Sequence, residues 1–240
     1  MKNNKLEELF NFKIQNIYNT YLPSKHSFFL NLSQFPHEKL RSPKLLGNLY
    51  LRYQSACHAT RVMIYKVPYL ESPSLRNRLV RIIADDDNVE LLNSHHYQLS
   101  RLFAKLGAEI LTEDEEFGDL NKLKTILDRK TSLFVSLVQD LYPRSLGAWC
   151  VIEMFADNWI QALMDSLTPC FPEIHKEEYF NTCLEQDLEK IHSREALDLT
   201  NIVLQNHPEL LDSTIDDALV MAKGLNMFWT GLDDLLEKYY

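Results

Sequence analysis

Glycine and proline are scarce in this chain, and its apolar residues recur at helical spacing. Only 6 glycines and 9 prolines interrupt 240 residues, which favours long helices over many strands and turns. Near the N-terminus, apolar residues recur at every fourth position and predict one apolar helix face: Leu6, Phe10, Ile14 and Tyr18. Most other segments have the same period, so we predict an all-α bundle of seven or eight helices with no convincing strand.

Capping residues and prolines predict where the helices begin and end. Pro73 suits the first turn of one helix, and Gly107 suits the position just after another. A stretch rich in Pro, Ser and His is predicted to be a loop through Pro36, and the acidic run 85–88 is predicted to interrupt a helix. A solvated loop is predicted over 113–118, and the remaining helices over 45–66, 120–141, 145–167, 176 to about 203, and 210–240 as one helix or two.

The length and charge of the chain limit its class. With 240 residues and 45% hydrophobic residues, we expect one domain over residues 1–240, with a core large enough to enclose a site. The net charge is −9 and there is no basic run. This argues against nucleic acid and against an anionic membrane surface as partners, because both are bound through clustered Lys and Arg.

The cysteines and the N-terminus indicate a cytoplasmic protein. Four scattered cysteines, with no pair at CxxC spacing, are typical of a reduced chain. The first residues lack the apolar core of a signal peptide. No apolar run approaches the roughly 20 residues that span a bilayer.

Two carboxylates and one imidazole form the most informative motif. Glu185, Glu189 and His192 are spaced i, i+4 and i+7, so on one continuous helix all three would project from the same face. Such a stripe can hold a transition metal ion. The alternative is a solvated charged face, which is common for runs of this kind.

Further candidate ligands lie on other predicted helices. Glu153 stands in an otherwise apolar run and has Trp149 and Ala156 as helical neighbours, so we expect it to be buried. His95 and one acid of the run 85–87 would complete four carboxylates and two histidines, the set that holds two metal ions inside helical bundles. The acidic run could instead cap a helix N-terminus, and the two histidines 95 and 96 could simply begin a helix.

The chain resembles the heme-oxygenase-like diiron oxidase and oxygenase family, which shares its fold with thiaminase-II-like and PQQ-synthase-like proteins. The similar elements are residues 81–107 with the acidic run, His95 and a Leu-Gly end; Glu153 within 146–153; and 185–192 with flanking residues 179–180 and 193–196. The C-terminal stretch 228–237 also resembles the ending of that family. The likeness covers roughly residues 40–240.

The resemblance implies a ligand set and leaves some positions open. The implied metal ligands are Asp87, His95, Glu153, Glu185, Glu189 and His192. Asp85 and Asp86 are alternatives to Asp87, and His96 is an alternative to His95, although counting back from Gly107 favours His95. Glu185 departs from the family, which usually has His there, and Glu189 replaces the usual Asp.

The resemblance also implies an activity. It implies an enzyme that binds two Fe(II) ions, although manganese stays open, activates O₂ and oxidises a small metabolite, with a homodimer common in the family. The 12 Phe, 11 Tyr and 3 Trp favour an amino-acid substrate with an aromatic ring, such as a tryptophan derivative converted to a nitrile. Arg52, Arg61 and Arg81 are candidates to bind the substrate carboxylate.

Two further hypotheses need no metal. One is an enzyme of the same fold with a cysteine nucleophile, for which Cys150 and Cys183 are candidates, although a cysteine in an apolar helix is more often part of the core. The other is a helical partner protein without catalytic activity, whose acidic residues are solvated.

Overall fold

The computed structural model describes residues 2–60, 70, 72–87, 94–109, 127–185 and 187–240. Within these ranges the chain forms helices and no strand, which confirms the all-α prediction. Ten α-helices of four or more residues lie in the same ranges, more than the seven or eight predicted.

The ten helices follow one another along the chain with short turns between most of them. They are α1 (Lys2–Thr20), α2 (Ser27–Ser33), α3 (His37–Leu40), α4 (Pro43–Ala59), α5 (Pro73–Asp87), α6 (His95–Lys105), α7 (Arg129–Leu141), α8 (Leu146–Leu167), α9 (Leu188–Asn206) and α10 (Leu211–Glu237). Between α8 and α9, a single helical turn, Glu178–Phe180, leads into a π-helical segment, Asn181–Glu185.

The predicted caps at Pro73 and Gly107 are confirmed. Helix α5 begins at Pro73, where the missing N–H costs no hydrogen bond. Gly107 follows α6 with φ +90°, a conformation that glycine adopts without steric cost. The N–H of Ala108 donates to the carbonyl of Phe103 at 3.0 Å, and that of Gly107 to Ala104 at 3.0 Å, which satisfies the last carbonyls of α6.

Two predicted boundaries were wrong. The loop expected before Pro36 contains helix α2, which buries Phe28, Phe29 and Leu32. The helix expected over 120–141 is not continuous: residues 120–126 lie outside the described part of the chain, and the described helix begins at Arg129. The Asp128 carboxylate caps it by accepting hydrogen bonds from the N–H groups of Lys130 and Thr131. The predicted loop 113–118 lies outside the described residues.

Two other predictions are corrected by how far the helices extend. Helix α4 ends at Ala59, short of the predicted 66, and residues 61–69 lie outside the described part of the chain. Helix α5 continues through the acidic run to Asp87 rather than being interrupted there. The C-terminal region forms one long helix, α10.

Helix α8 occupies the centre of the bundle and packs against both α9 and α10. Helix α10 also packs against α1 and α7, and α4 packs against α7. The start of α8 lies so close to α10 that a Cβ at Gly147 would be 1.8 Å from the carbonyl oxygen of Thr214. Glycine there allows the two helices to approach. Within the described ranges, no helix has the long apolar stretch needed to traverse a lipid bilayer.

Candidate metal centre

Helix α8 places one carboxylate in the core. Ser145 caps the helix by accepting a hydrogen bond from the N–H of Ala148, and the helix then runs without a break. Glu153 is 5% exposed, which confirms its predicted burial. The hydroxyl of Tyr142 and the indole N–H of Trp149 both donate to Glu153 Oε1, at 3.0 and 2.8 Å. Oε1 is therefore held in place by two hydrogen bonds, and Oε2 accepts neither of them.

The second part of the site comes from a segment that is not one continuous helix. Asp187 has φ +52°, a left-handed conformation that ends any regular α-helix, and α9 begins after it at Leu188. Glu185 belongs to the preceding π-helical segment, so the predicted single-helix stripe of Glu185, Glu189 and His192 was wrong. Glu189 and His192 are three residues apart on α9, share a face, and are buried.

Glu153, Glu189 and His192 come together as one cluster. One donor atom from each lies within 4.8 Å of the others. Nδ1 of His192 is 4.0 Å from Glu153 Oε2, the oxygen that neither Tyr142 nor Trp149 contacts. This cluster joins α8 to α9.

A second cluster shares Glu189 and adds two residues. One donor atom each from His95, Cys183 and Glu189 also lie within 4.8 Å of one another. Cys183 Sγ is 3.8 Å from Nε2 of His95, and Nδ1 of His95 is 3.8 Å from Glu189 Oε1. Glu189 therefore lies between two groups of potential ligands, as a carboxylate shared by two metal ions would.

The predicted residues reach the site to different extents. His95 belongs to the second cluster, and His96 lines the neighbouring cavity. Of the acidic run, Asp85 approaches the site, with Oδ2 3.5 Å from Nε2 of His192. The side chains of Asp87, and of its alternative Asp86, lie outside the described residues.

Glu185 and Cys183 both belong to the π-helical segment. The side chain of Glu185 also lies outside the described residues, so its predicted ligand role stays a prediction. The sequence indicates Cys183 only as a candidate nucleophile, whereas the structure places it with the potential metal ligands His95 and Glu189. Its position depends on the π-helical segment, and no residue pattern in Asn181–Glu185 indicates a π-helix rather than an α-helix.

Among the described residues, the two central carboxylates have no permanently charged partner. Glu153 and Glu189 are each 5% exposed, and no described Lys or Arg lies within 4.0 Å of either. Burial raises the pKa of Glu153. The pKa of Glu189 is raised to about 8. Burial is the larger cause, and the negative charge of Glu153 is the second. Two buried carboxylates are stable together only if they take up protons or a cation.

His95 completes the electrostatics of the site. Burial, and then His192, lower the pKa of His95 to about 4. The imidazole is thus neutral near pH 7, the form in which histidine binds a metal ion. Carboxylates ready to exchange protons for a cation and a neutral imidazole form a suitable donor set for divalent transition metals.

The donor spacing also fits metal ions. Oxygen and nitrogen ligands lie about 2.0–2.2 Å from a transition metal ion, so two ligands of one ion are at most about 4.4 Å apart. The donor atoms of each cluster lie within 4.8 Å of one another, which is close to that separation. The residues present therefore fit the metal ions that the family resemblance implies.

A cavity of about 140 Å³ adjoins the clusters. Glu153, Glu189 and His95 form its polar wall. Much of the remaining lining is aromatic and is formed by Tyr53, Phe134, Tyr142, Trp159, Tyr179, Phe228 and Trp229. The hydroxyls of Tyr53 and Tyr179 are 3.2 Å apart, and burial raises the pKa of both well above the usual value, so both phenols are neutral.

Of the three arginines predicted to bind the substrate carboxylate, the two that the structure describes do not line this cavity. Arg52 binds Asp128 at 2.7 Å and also donates to Asn48, so its guanidinium is already engaged beside the start of α7. Arg81 is exposed on α5 and is absent from the described cavity wall. Arg61 lies outside the described residues. Among the described lining residues there is no Lys or Arg.

A scan of the chain against known protein families finds no matching family. A search of curated proteins finds none with significant sequence similarity.

Proposed function

We propose that this protein is an O₂-activating dimetal oxidase or oxygenase that acts on a small aromatic metabolite. The observation that carries the proposal is the pair of buried carboxylates, Glu153 and Glu189, with no described Lys or Arg beside them. Bringing anionic groups into a core is costly without a cation. Histidines on both sides of the pair make a metal ion the natural cation.

The residues have distinct tasks in this proposal. Glu189 would contribute to both metal positions, Glu153 and His192 would hold one ion, and His95 would hold the other. Asp87 and Glu185 are the further ligands that the family resemblance implies. Two Fe(II) ions would supply electrons and open coordination positions for O₂. The protein would hold the geometry and exclude water.

Residues around the ligands orient them. Tyr142 and Trp149 hold one oxygen of Glu153 and leave the other for a metal ion. Asp85 faces Nε2 of His192, while Nδ1 faces Glu153. A carboxylate on the far ring nitrogen fixes the tautomer and orientation of a metal-bound histidine. Asp85 is thus suited to an orienting role for His192.

The cavity favours a compact substrate with a ring. A cavity of about 140 Å³ is similar to the roughly 150 Å³ that accommodates benzene in another protein. Aromatic walls give a planar ring favourable edge and face contacts. The ring of an aromatic amino acid, or of the tryptophan derivative that the resemblance suggests, would occupy the cavity, and the rest of the molecule would extend beyond it. Its carboxylate would be held by groups other than Arg52 and Arg81.

Oxygen consumption tests the proposed function. Metal-free protein is loaded anaerobically with Fe(II) and mixed with O₂, alone and with indole, phenol and aromatic amino acids. We expect bound Fe(II) to oxidise much faster than free Fe(II), and one class of ring compound to increase O₂ uptake. Oxidation of bound iron at the rate of free iron in folded protein would contradict the proposal.

A matched pair of variants controls that experiment. Glu153→Gln removes the buried charge while keeping the shape of the side chain, and fast iron oxidation should be lost. Glu173→Gln is the control, since Glu173 is exposed and pairs only with the nearby Lys176 among described residues. Equal loss in both variants would contradict a specific role for Glu153.

A metal-free enzyme with a cysteine nucleophile is the second candidate. Cys183 contacts Nε2 of His95, and Nδ1 of His95 faces Glu189, the order of contacts in a nucleophile, base and orienting acid. Cys150 is the weaker candidate, because burial raises the pKa of its thiol to about 12 and disfavours the reactive thiolate.

Alkylation separates this candidate from the first. An activated Cys183 should react with iodoacetamide in native metal-free protein before any other cysteine. Cys57 is the internal control, since it is half-buried and lines the cavity. Labelling of Cys57 while Cys183 stays unmodified would eliminate the nucleophile hypothesis.

A further inference from the structure

Cys183 differs in its surroundings from the other fully buried cysteines. Cys150 contacts the sulfur of Met154 at 3.7 Å and lies near Glu153, but it belongs to neither ligand cluster, and Cys170 contacts the carbonyl oxygen of His37 at 3.7 Å. Cys183 is 0% exposed and its sulfur faces an imidazole and a carboxylate. Among the described residues, Cys183 is therefore the buried thiol that belongs to a cluster of potential metal ligands.

The burial of Cys183 favours a metal ligand over a nucleophile. Among the described residues that line the cavity are His95 and Glu189, but not Cys183. A nucleophile has to reach the substrate, which occupies the cavity. A ligand would need only to reach the metal ion, and a ligand outside the cavity lining would leave the cavity for O₂ and substrate.

The distances fit a shared metal ion. Thiolate sulfur binds transition metals at about 2.3 Å and imidazole nitrogen at about 2.0–2.1 Å, so the two atoms lie about 3.5 Å apart in a tetrahedral site. The observed separation between Cys183 Sγ and His95 Nε2 is 3.8 Å. A small shift of either side chain brings both to one ion.

We infer that Cys183 is a thiolate ligand, with His95 and Glu189, of one of the two metal positions. This inference rests on the proposed dimetal function and gives the two positions different chemistry. The position of Glu153 and His192 has only oxygen and nitrogen donors. The position of Cys183 has a soft sulfur donor, which favours Zn(II), Co(II) or Fe(II) over Mn(II). The thiol proton is released when the metal ion binds.

Cobalt reports directly on this ligand. Metal-free full-length protein is titrated anaerobically with Co(II), with absorption spectra and bound metal recorded together. We expect about two Co(II) per chain and a strong near-ultraviolet charge-transfer band from a cobalt–thiolate bond. X-ray absorption of the Co(II)-loaded wild type should contain a sulfur neighbour at about 2.3 Å. Both readouts use the wild-type protein and do not depend on the folding of a variant.

Two variants identify the sulfur. Cys183→Ser should lose the charge-transfer band and bind about one Co(II), with the remaining ion at the Glu153 position. Cys170→Ser is the matched control, because Cys170 is also a buried free thiol and contacts His37 rather than the site. It should retain both ions and the band.

The outcomes separate this inference from the proposed function. Two bound ions with no thiolate band, or a band that persists in Cys183→Ser, would overturn ligation by Cys183 and leave the dimetal proposal intact. No Co(II) bound to folded wild-type protein would overturn the dimetal proposal and this inference with it.

Discussion

Two regions each bring a buried carboxylate to the same site, but by different means. Helix α8 is regular over 22 residues and supplies Glu153 alone. The segment from Glu178 to Asn206 is broken by a π-helical segment and by Asp187, and it supplies Cys183, Glu189 and His192. The regular helix contributes one precisely held oxygen. The broken segment gathers three potential ligands.

The difference follows from helix geometry. On a regular helix, neighbours on one face are three or four residues apart, so Glu189 and His192 can share a face. Cys183 is six residues before Glu189, a spacing that points to different sides of a regular helix at about 100° per residue. The break before α9 removes that restriction, and Cys183 and Glu189 approach the same ring of His95.

The largest effect is expected from the carboxylate that both clusters share. Glu189→Gln should abolish binding at both metal positions, measured by equilibrium dialysis. The metal-free variant should unfold at no lower temperature than wild type near pH 8, because the substitution removes a buried charge. Loss of only one ion would contradict the shared role.

A smaller effect on metal binding is expected from Trp149, which positions the ligand Glu153 on α8. Trp149→Phe removes the N–H that holds Glu153 Oε1, and metal affinity at that position should fall by about 10–100-fold with the number of bound ions unchanged. Trp229→Phe is the control, since the Trp229 indole is equally buried and its N–H has no partner among described residues. Equal affinities in the two variants would contradict an orienting role for Trp149.

The acidity of the shared carboxylate predicts a pH dependence. Its pKa, raised from 4.5 to about 8, means that Glu189 holds a proton near neutral pH in the metal-free protein. A metal ion has to displace that proton, so apparent affinity should rise from about pH 6 to about pH 8. His95, with its pKa lowered to about 4, adds no competition in that range.

The raised pKa of Glu189 also predicts how the stability of the metal-free protein changes with pH. The folded pKa of Glu189 lies above its unfolded value, so its contribution to stability is full below about pH 4.5 and is lost as pH rises toward 8. Thermal unfolding of metal-free protein across this range, compared with Glu189→Gln, isolates the contribution. A difference in unfolding temperature between the two proteins that does not change with pH would contradict the raised pKa of Glu189.

The smallest effect is expected at the break itself. Asp187→Val places a β-branched residue at φ +52° and should lower stability by about 1–2 kcal/mol, whereas Asp187→Gly should be neutral or better. Asp216→Val, on the exposed side of α10, is the control with the same chemical change in a helical conformation. Urea unfolding measures all three, and equal losses in both Val variants would contradict strain at Asp187.

Sequence reasoning reached the parts of the site that depend on regular helices. The burial of Glu153 and the shared face of Glu189 and His192 follow from helical period, and both are confirmed. The place of Cys183 and the separation of Glu185 from α9 depend on the break. A left-handed residue other than glycine has no sequence signature strong enough to predict it.

The site also depends on contacts between distant helices, which helical period alone does not determine. Asp85 approaches His192 from α5, and the indole of Trp149 was expected only as an apolar neighbour of Glu153, not as its hydrogen-bond donor. Arg52 was a candidate for substrate binding but pairs with Asp128, because α4 packs against the start of α7. Such pairings become visible only once the helices are packed.

Anaerobic titration of metal-free wild-type protein with Fe(II), with quantification of bound iron, tests the central claim most directly. The two clusters that share Glu189 predict about two Fe(II) per chain. Glu153→Gln should bind fewer ions, and Glu173→Gln should match the wild type. A folded wild-type chain that binds no iron would contradict the account.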